Sequence, residues 1–301
     1  MAISSPLKWH GGKGAFQGKL AKWIISLMPP HTHYVEPYFG GGSVLLAKNP
    51  NGVSEVVNDL DQSLINFWHI IRMDDTFASF RRKVGATPFS EDHWGAAMEI
   101  VRLHIENAGM PVFSTEESLV RWAVSFFIVC RQSMSGRMKD FAPLTKNRIR
   151  RGMNEQVSAW LSVVERLPEV HARLKRVVIV GPKDAKEVIR QQDGKKTLFY
   201  LDPPYLHETR RTTTEYGPNE MTTIQHQELL GLISGIKGKF LISGYMSASY
   251  HAMELTHGWN RHEFTIPNNA ARGKKKREMT ECIWTNFEVK HERNQRKSGD
   301  S

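Results

Sequence analysis

The chain has 301 residues, a formal charge of +10, 40% apolar side chains and two cysteines. That length admits one large domain or one domain carrying a smaller insertion, with enough apolar side chains for a sizeable core. The charge points to a polyanion, nucleic acid before an anionic membrane surface, and Cys130 and Cys282 lack the paired spacing of a zinc site and read as buried thiols.

Leu20, Trp23, Ile24, Leu27 and Met28 lie at helical spacing and predict a helix over 16–28, ended by Pro29 and Pro30. A short strand at 34–35 runs into the turn Glu36-Pro37-Tyr38-Phe39-Gly40-Gly41-Gly42, and a helix starts at Ser43. A second strand at 53–57 ends in Asn58-Asp59-Leu60-Asp61, followed by a helix over 62–72. Strand, glycine turn, helix, strand and acid form the outline of a nucleotide-binding βαβ unit. Residues 76–169 are mostly helical in pattern and break that rhythm. Within them, 131–151 hold seven basic side chains against Asp140 alone. Met153, Val157, Trp160, Leu161, Val164 and Leu167 then make one apolar stripe, a helix that Pro168 is expected to stop.

From 174 the α/β rhythm returns. A strand is expected at 176–180, a helix at 184–192, and a buried strand that runs through Leu198, Phe199, Tyr200 and Leu201 into Asp202. A polar loop at 207–219, a helix at 222–236, a strand at 240–243 and late strands near 261–266 and 279–287 follow, the last two separated by a basic loop at 272–277. The fold class is α/β. Residues 1–75 and 170–291 form the expected cofactor-binding catalytic domain, 76–169 an inserted, mainly helical recognition domain, and 292–301 a disordered tail. Lys8, His10 and Lys13 interrupt any apolar leader, and the apolar run 122–130 is too short to span a bilayer. A cytoplasmic or, in a eukaryote, nuclear location is therefore expected.

The strongest chemical element is Asp202-Pro203-Pro204-Tyr205. The prolines stop the strand and restrain Asp202, leaving a stiff corner at the carboxyl end of a strand. Asp202 and the main-chain carbonyl of Pro203 suit the two N–H groups of an amine on an aromatic ring, whose lone pair they would direct toward an electrophile. Tyr205 offers a ring to stack on that base. The competing reading is an acidic Pro-Pro turn with Tyr205 in the core. The glycine turn lets a ligand approach backbone amides, and Asp59 suits the hydroxyls of a ribose. A P-loop is disfavoured, because Leu20 follows Gly18-Lys19 where Ser or Thr should stand. Trp9-His10-Gly11-Gly12-Lys13 reads either as a turn with a cation and a stacking surface or as a solvated loop.

Asp202-Pro203-Pro204-Tyr205, the upstream glycine turn, Trp9-His10-Gly11-Gly12-Lys13 and the Asn58-Asp59 segment together resemble the Dam-like (D12 class) DNA adenine-N6 methyltransferases. The resemblance runs over roughly 6–72 and 174–287. It implies a Rossmann-like sheet, S-adenosylmethionine as cofactor, no metal, and base flipping of the target adenine. It also implies that Trp9 and Lys13 contact the cofactor, that Glu36, Pro37, Tyr38, Phe39, Gly40 and Gly42 surround its amino-acid part, and that Asp59 holds its ribose. Asp184 would face its adenine, next to Ala185 where the family often has Phe. Asp202 would touch both cofactor and target, with Pro203, Pro204 and Tyr205 completing the catalytic corner. For DNA, the cations and small polar groups at Arg131, Ser133, Arg137, Lys146, Arg148, Arg150 and Arg151 come first, then Tyr216, Lys274 and Lys275 in the loops. Any one of these also fits a solvated basic face. The expected partner is duplex DNA, with a cognate restriction nuclease beside it and a monomer or weak dimer as the active form; no membrane partner is expected. Cytosine N4, RNA adenine N6 and a DNA-binding relative without catalysis remain the alternatives.

Overall fold

The computed structural model describes residues 2–9, 11–14, 18–107, 110, 114–205, 221–267 and 278–289. A seven-stranded, mostly parallel sheet forms its centre, in the order β5-β2-β1-β6-β7-β9-β8. The parallel strands are β1 (His33–Glu36), β2 (Ser54–Val57), β5 (Val177–Ile179), β6 (Thr197–Leu201) and β7 (Lys239–Gly244). The antiparallel pair β8 (Asn260–Pro267) and β9 (Glu278–Thr285) closes one edge, β9 running against β7.

Alternation along the strands decides the layering. Tyr34, Val57, Leu198, Tyr200 and Ile283 point to one face, while Val35, Val56, Phe199, Leu201, Phe240 and Trp284 point to the other, and all are buried. Strands covered on both faces read as continuous apolar runs, which is why β6 has no polar residue between Leu198 and Leu201. The first face packs against α1 (Lys19–Ser26), α2 (Ser43–Ala47), α3 (Gln62–Arg72), α4 (Asp74–Gly85), α6 (Glu116–Gln132) and α7 (Glu155–Leu174). The helix α5 (Glu91–Glu106) lies against α6. The second face packs against α8 (Ala185–Gln192), α9 (Thr223–Ser234) and α10 (Ala248–His257).

Helix starts follow local chemistry. Asp61 accepts a hydrogen bond from the Leu64 amide (3.0 Å) to cap α3, and Thr222 and Gln225 form a reciprocal capping box at α9. Two elements depart from the sequence reading. Helix α7 does not stop at Pro168 but runs through it to Leu174. An interior proline costs about 3 kcal/mol, and the buried side chains of Leu167, Val170 and Leu174 offset it, each by roughly 1.5–3 kcal/mol. Helix α10 has no counterpart among the expected elements, because only Tyr250 of its residues is buried and no apolar stripe announces it.

Residues 76–169 are helical, but their core is not their own. Phe77, Phe80, Phe126, Phe127 and Trp160 belong to one apolar cluster with Phe67 and Trp68 of α3 and Leu198 of β6. One excursion stands off that core. The strands β3 (Ile149–Arg150) and β4 (Met153–Asn154) form a two-stranded hairpin, whose turn places Arg151 at φ 55° and Gly152 at φ 75°. Two left-handed residues in a two-residue loop match the twist of a hairpin. Among the described residues, no helix is long and apolar enough to cross a membrane.

Candidate functional site

The carboxyl ends of β1, β2 and β6 meet where the strand order turns outward in both directions from β1. In an open α/β sheet, ligands bind in that crevice. Here it holds a cavity of about 500 Å³. Trp9, Lys13, Glu36, Pro37, Tyr38, Phe39, Gly40, Gly42, Asp59, Asp184 and Asp202 all line it, so every residue that the sequence assigns to the cofactor comes to one place.

The glycine turn is shaped by its neighbours. The indole of Trp9 lies so close that a Cβ on Gly41 would sit 2.8 Å from the Trp9 Cβ. The Trp68 indole N–H donates to the Gly40 carbonyl (3.1 Å), and the Gly40 amide donates to Asp59 Oδ2 (2.8 Å). The Asp61 amide donates to Asp59 Oδ1 (3.1 Å). Asp59 thus braces the turn with both oxygens, and the Leu60 amide also donates to it. Burial pushes its carboxyl up to about 6 against the pull of these amides.

Glu36 ends β1 inside the cavity wall. It accepts from the Tyr34 hydroxyl (2.7 Å), and burial outweighs that hydrogen bond and pushes its carboxyl up to about 8. Burial, with the charges of Asp184 and Asp59, also pushes the Tyr38 hydroxyl above its ordinary range. Asp184 is exposed and caps α8, accepting from the Lys186 amide (2.7 Å). Asn58, for which the sequence reading had no separate role, ties the walls together. Its side chain donates to the carbonyls of Pro37 and Lys183 (both 3.0 Å) and accepts from the Lys183 amide (3.1 Å). A fully buried amide immediately after an apolar strand was its sequence signal.

The Asp202 corner is a network around one cation. Lys13 Nζ lies 2.9 Å from Asp202 Oδ1, 2.9 Å from Glu281 Oε1 and 2.5 Å from the Tyr205 hydroxyl, which in turn donates to Glu281. Burial works to neutralise Lys13, but the two carboxylates outweigh it and hold the ammonium charged well above the usual lysine range. Burial raises the Asp202 carboxyl; Lys13 opposes this and Glu281 adds to it. Pro204 lines the cavity and Pro203 is buried behind it. Tyr205 departs from its expected stacking role. Its ring packs edge-on against Tyr245 (4.8 Å) and under Lys13, and the side chain is 8% exposed.

Glu281 is the functional candidate the sequence reading missed. It stands on β9 in the alternating set with Ile283 and Thr285, all buried. An acid at an inward position of a buried strand was the signal for it.

The basic segment divides into three. Arg131 is mostly enclosed, donating to the Ala159 carbonyl (3.4 Å), and burial lowers its guanidinium. Ser133 is fully buried; its hydroxyl donates to the Val129 carbonyl and accepts from the Trp94 indole (3.0 Å). Ser133 presents no surface to DNA, which corrects the expectation for it, and Arg131 is only partly exposed. Arg137 is exposed and lines the cavity, as does Lys139. Lys146, Arg148, Arg150 and Arg151 are exposed on or beside the hairpin. Arg148 pairs with Glu155 (3.4 Å) and Arg151 with Glu165 (3.2 Å), whereas Arg150 makes no ion pair among the described residues. Tyr216, Lys274, Lys275, the loops at 207–219 and 272–277 and the tail at 292–301 lie outside the described residues. Among the described residues, no group of three or more His, Cys, Asp or Glu side chains is arranged to hold a metal ion.

Comparison with curated proteins gives no match. The family model of the D12 class N6 adenine-specific DNA methyltransferases matches residues 9–135 and 159–279, most of the chain, taking in Trp9, Lys13, the glycine turn, Asp59 and Asp202 and leaving out the hairpin. The chain therefore belongs to the D12 class N6 adenine-specific DNA methyltransferase family.

Proposed function

We propose that this DNA adenine methyltransferase takes its methyl group from S-adenosylmethionine and receives its target adenine flipped out of the duplex, at the Asp202 corner. The observation that carries the reading is the position of Asp202 in the wall of the same cavity as Glu36 and Asp59. The cavity fits that cofactor chemically. Glu36 is a buried carboxyl whose one hydrogen bond comes from Tyr34, with no cation paired to it among the described residues, so it suits an ammonium group. Asp59 suits ribose hydroxyls, and Trp9 and Tyr38 line the wall with aromatic surface. When bound, the cofactor supplies a methyl group already activated by a sulfonium.

The protein's part is to orient the amine. The N6 lone pair of adenine is delocalised into the ring. Asp202 and the Pro203 carbonyl accept its two hydrogens and turn the lone pair toward the methyl group. Formation of the N–C bond would go with breaking of the methyl–sulfur bond, and the proton held by Asp202 would pass to that carboxylate. An adenine inside a duplex cannot reach a corner recessed in this cavity, and unstacking it costs a few kcal/mol.

DNA is held by the segment at 76–169, foremost by Lys146, Arg148, Arg150 and Arg151 around the hairpin. Ile149, 79% exposed between two arginines, gives the hairpin an apolar edge to set against unstacked bases. Incubating the full chain with duplex DNA and methyl-labelled S-adenosylmethionine, then digesting the DNA to nucleosides, should give labelled N6-methyl-2′-deoxyadenosine. Label in N4-methyl-2′-deoxycytidine, label only with RNA, or no transfer would each overturn the reading.

A further inference from the structure

Glu281 sits on β9, one strand beyond β7 and two from β6, yet its carboxylate reaches the same ammonium as Asp202. An ammonium has three hydrogens. Those of Lys13 point to Asp202 Oδ1 (2.9 Å), Glu281 Oε1 (2.9 Å) and the Tyr205 oxygen (2.5 Å). Tyr205 closes the ring by donating to Glu281, so Glu281 holds two of the groups that surround Asp202. We propose that Glu281 is a positioning residue for methyl transfer, restricting Lys13 to a single hydrogen bond on Asp202 and keeping its other hydrogens away from the target amine.

The consequence is chemical as well as geometric. A carboxylate accepts about four hydrogen bonds; bonds from Lys13 and Tyr205 leave Asp202 capacity for the amine. A lysine facing Asp202 alone would straddle both oxygens and turn an N–H toward the amine lone pair, opposing its attack. The inference rests on the reading of Asp202 as the acceptor for that amine.

A purely structural Glu281, one that only neutralises a buried lysine, predicts a native kcat in any variant that folds. The titratable groups facing Asp202 are Lys13 from the N-terminal turn, Tyr200 of β6, Tyr205 of the corner, Glu281 of β9, Glu36 of β1 and Tyr250 of α10. Of these, Lys13 and Tyr205 stabilise the Asp202 anion and Glu281 opposes it. Removing the Glu281 charge therefore lets Asp202 ionise at lower pH.

The test compares wild type with Glu281→Gln in the full chain. Expected are a loss in kcat of about 10²-fold, the cost of a misplacement on the order of 1 Å, an acid limb of kcat moved to lower pH, and unchanged affinity for S-adenosylhomocysteine by calorimetry. Carbon NMR of labelled aspartate, with Asp202→Asn to assign the signal, should show the Asp202 titration moved the same way without turnover. A native kcat, an acid limb and NMR midpoint left in place, or an affinity loss as large as the kcat loss would overturn the inference. If the Gln variant does not fold, Glu281→Asp keeps the charge and loses the reach; kcat should fall with the acid limb in place, and a native kcat sinks the proposal. A wild type that makes no N6-methyl-2′-deoxyadenosine breaks the reading of Asp202 itself, whereas an active wild type with a native-like variant breaks only the role of Glu281.

Discussion

The cavity at the carboxyl ends of β1, β2 and β6 and the basic segment at 146–154 are built on opposite principles. In the cavity, Asp59, Asn58, Lys13 and Glu281 each hold two or more partners from different elements. In the basic segment, Lys146 and Arg150 hold none among the described residues, and Arg148 and Arg151 make exposed pairs of the kind worth about 0–1 kcal/mol. A reacting centre needs groups fixed before the substrate arrives, whereas phosphate contact needs charge that is cheap to redirect. The family match takes in Lys13, Asn58, Asp59 and Asp202 and leaves the hairpin outside, and Glu281 lies just beyond its end.

The largest expected effect breaks the comparison if it fails. Asp202→Ala removes the acceptor for the target amine but leaves Lys13 paired with Glu281, and it touches nothing on the hairpin. Turnover should fall by roughly 10³-fold, the scale for losing one preorganised polar group, while DNA affinity stays native in a filter-binding or anisotropy titration. Near-normal turnover would remove the corner from the mechanism. A parallel loss of DNA affinity would show that cavity and hairpin act as one surface.

The next effect sharpens the account of the cavity. The Glu36 carboxyl titrates at about 8 in the fold against an ordinary value of 4.5. Below 4.5 it is protonated folded and unfolded alike. Between those values the folded state binds the extra proton, so stability falls as pH rises toward 8, by a few kcal/mol in all. Glu36→Gln should therefore flatten the decline in Tm of the cofactor-free protein between pH 4.5 and 8 while leaving Tm at pH 4 unchanged. An equal decline in both proteins would mean that Glu36 has a cation partner in solution.

How much of this was legible in the sequence also differs between the two regions. The parallel strands and α3 announced themselves because buried apolar runs and a capped amphipathic helix are local signals. The cavity residues were readable because punctuation by Gly and Pro marks strand ends. Glu281 was not read, since its importance depends on a pairing of β9 with β7 that no local pattern states. Helix α10 lacked an apolar stripe. Pro168 misled, because the break it favours locally is overridden by the burial of Leu167, Val170 and Leu174. Over 131–151, composition treated seven cations as one patch. The fold separates them by depth, and depth comes from tertiary packing.

That separation yields the smallest and sharpest test. Arg131 and Arg150 are the same residue type within one run of basic sequence, one enclosed at the end of α6 and the other exposed on β3. A cation that neutralises a phosphate releases about 0.9 counterion, so its removal lowers the slope of log affinity against log salt by about that amount. Arg150→Ala should reduce the slope by about 0.9 and weaken binding alike across DNA sequences, with Tm unchanged. Arg131→Met should leave the slope native, because its guanidinium is half-buried and donates to the Ala159 carbonyl, and any effect should fall on Tm. If the slope drops for Arg131 as it does for Arg150, the segment opens on DNA and the division by depth does not survive binding. If it drops for neither, phosphate contact lies elsewhere on the chain and the hairpin is a solvated face.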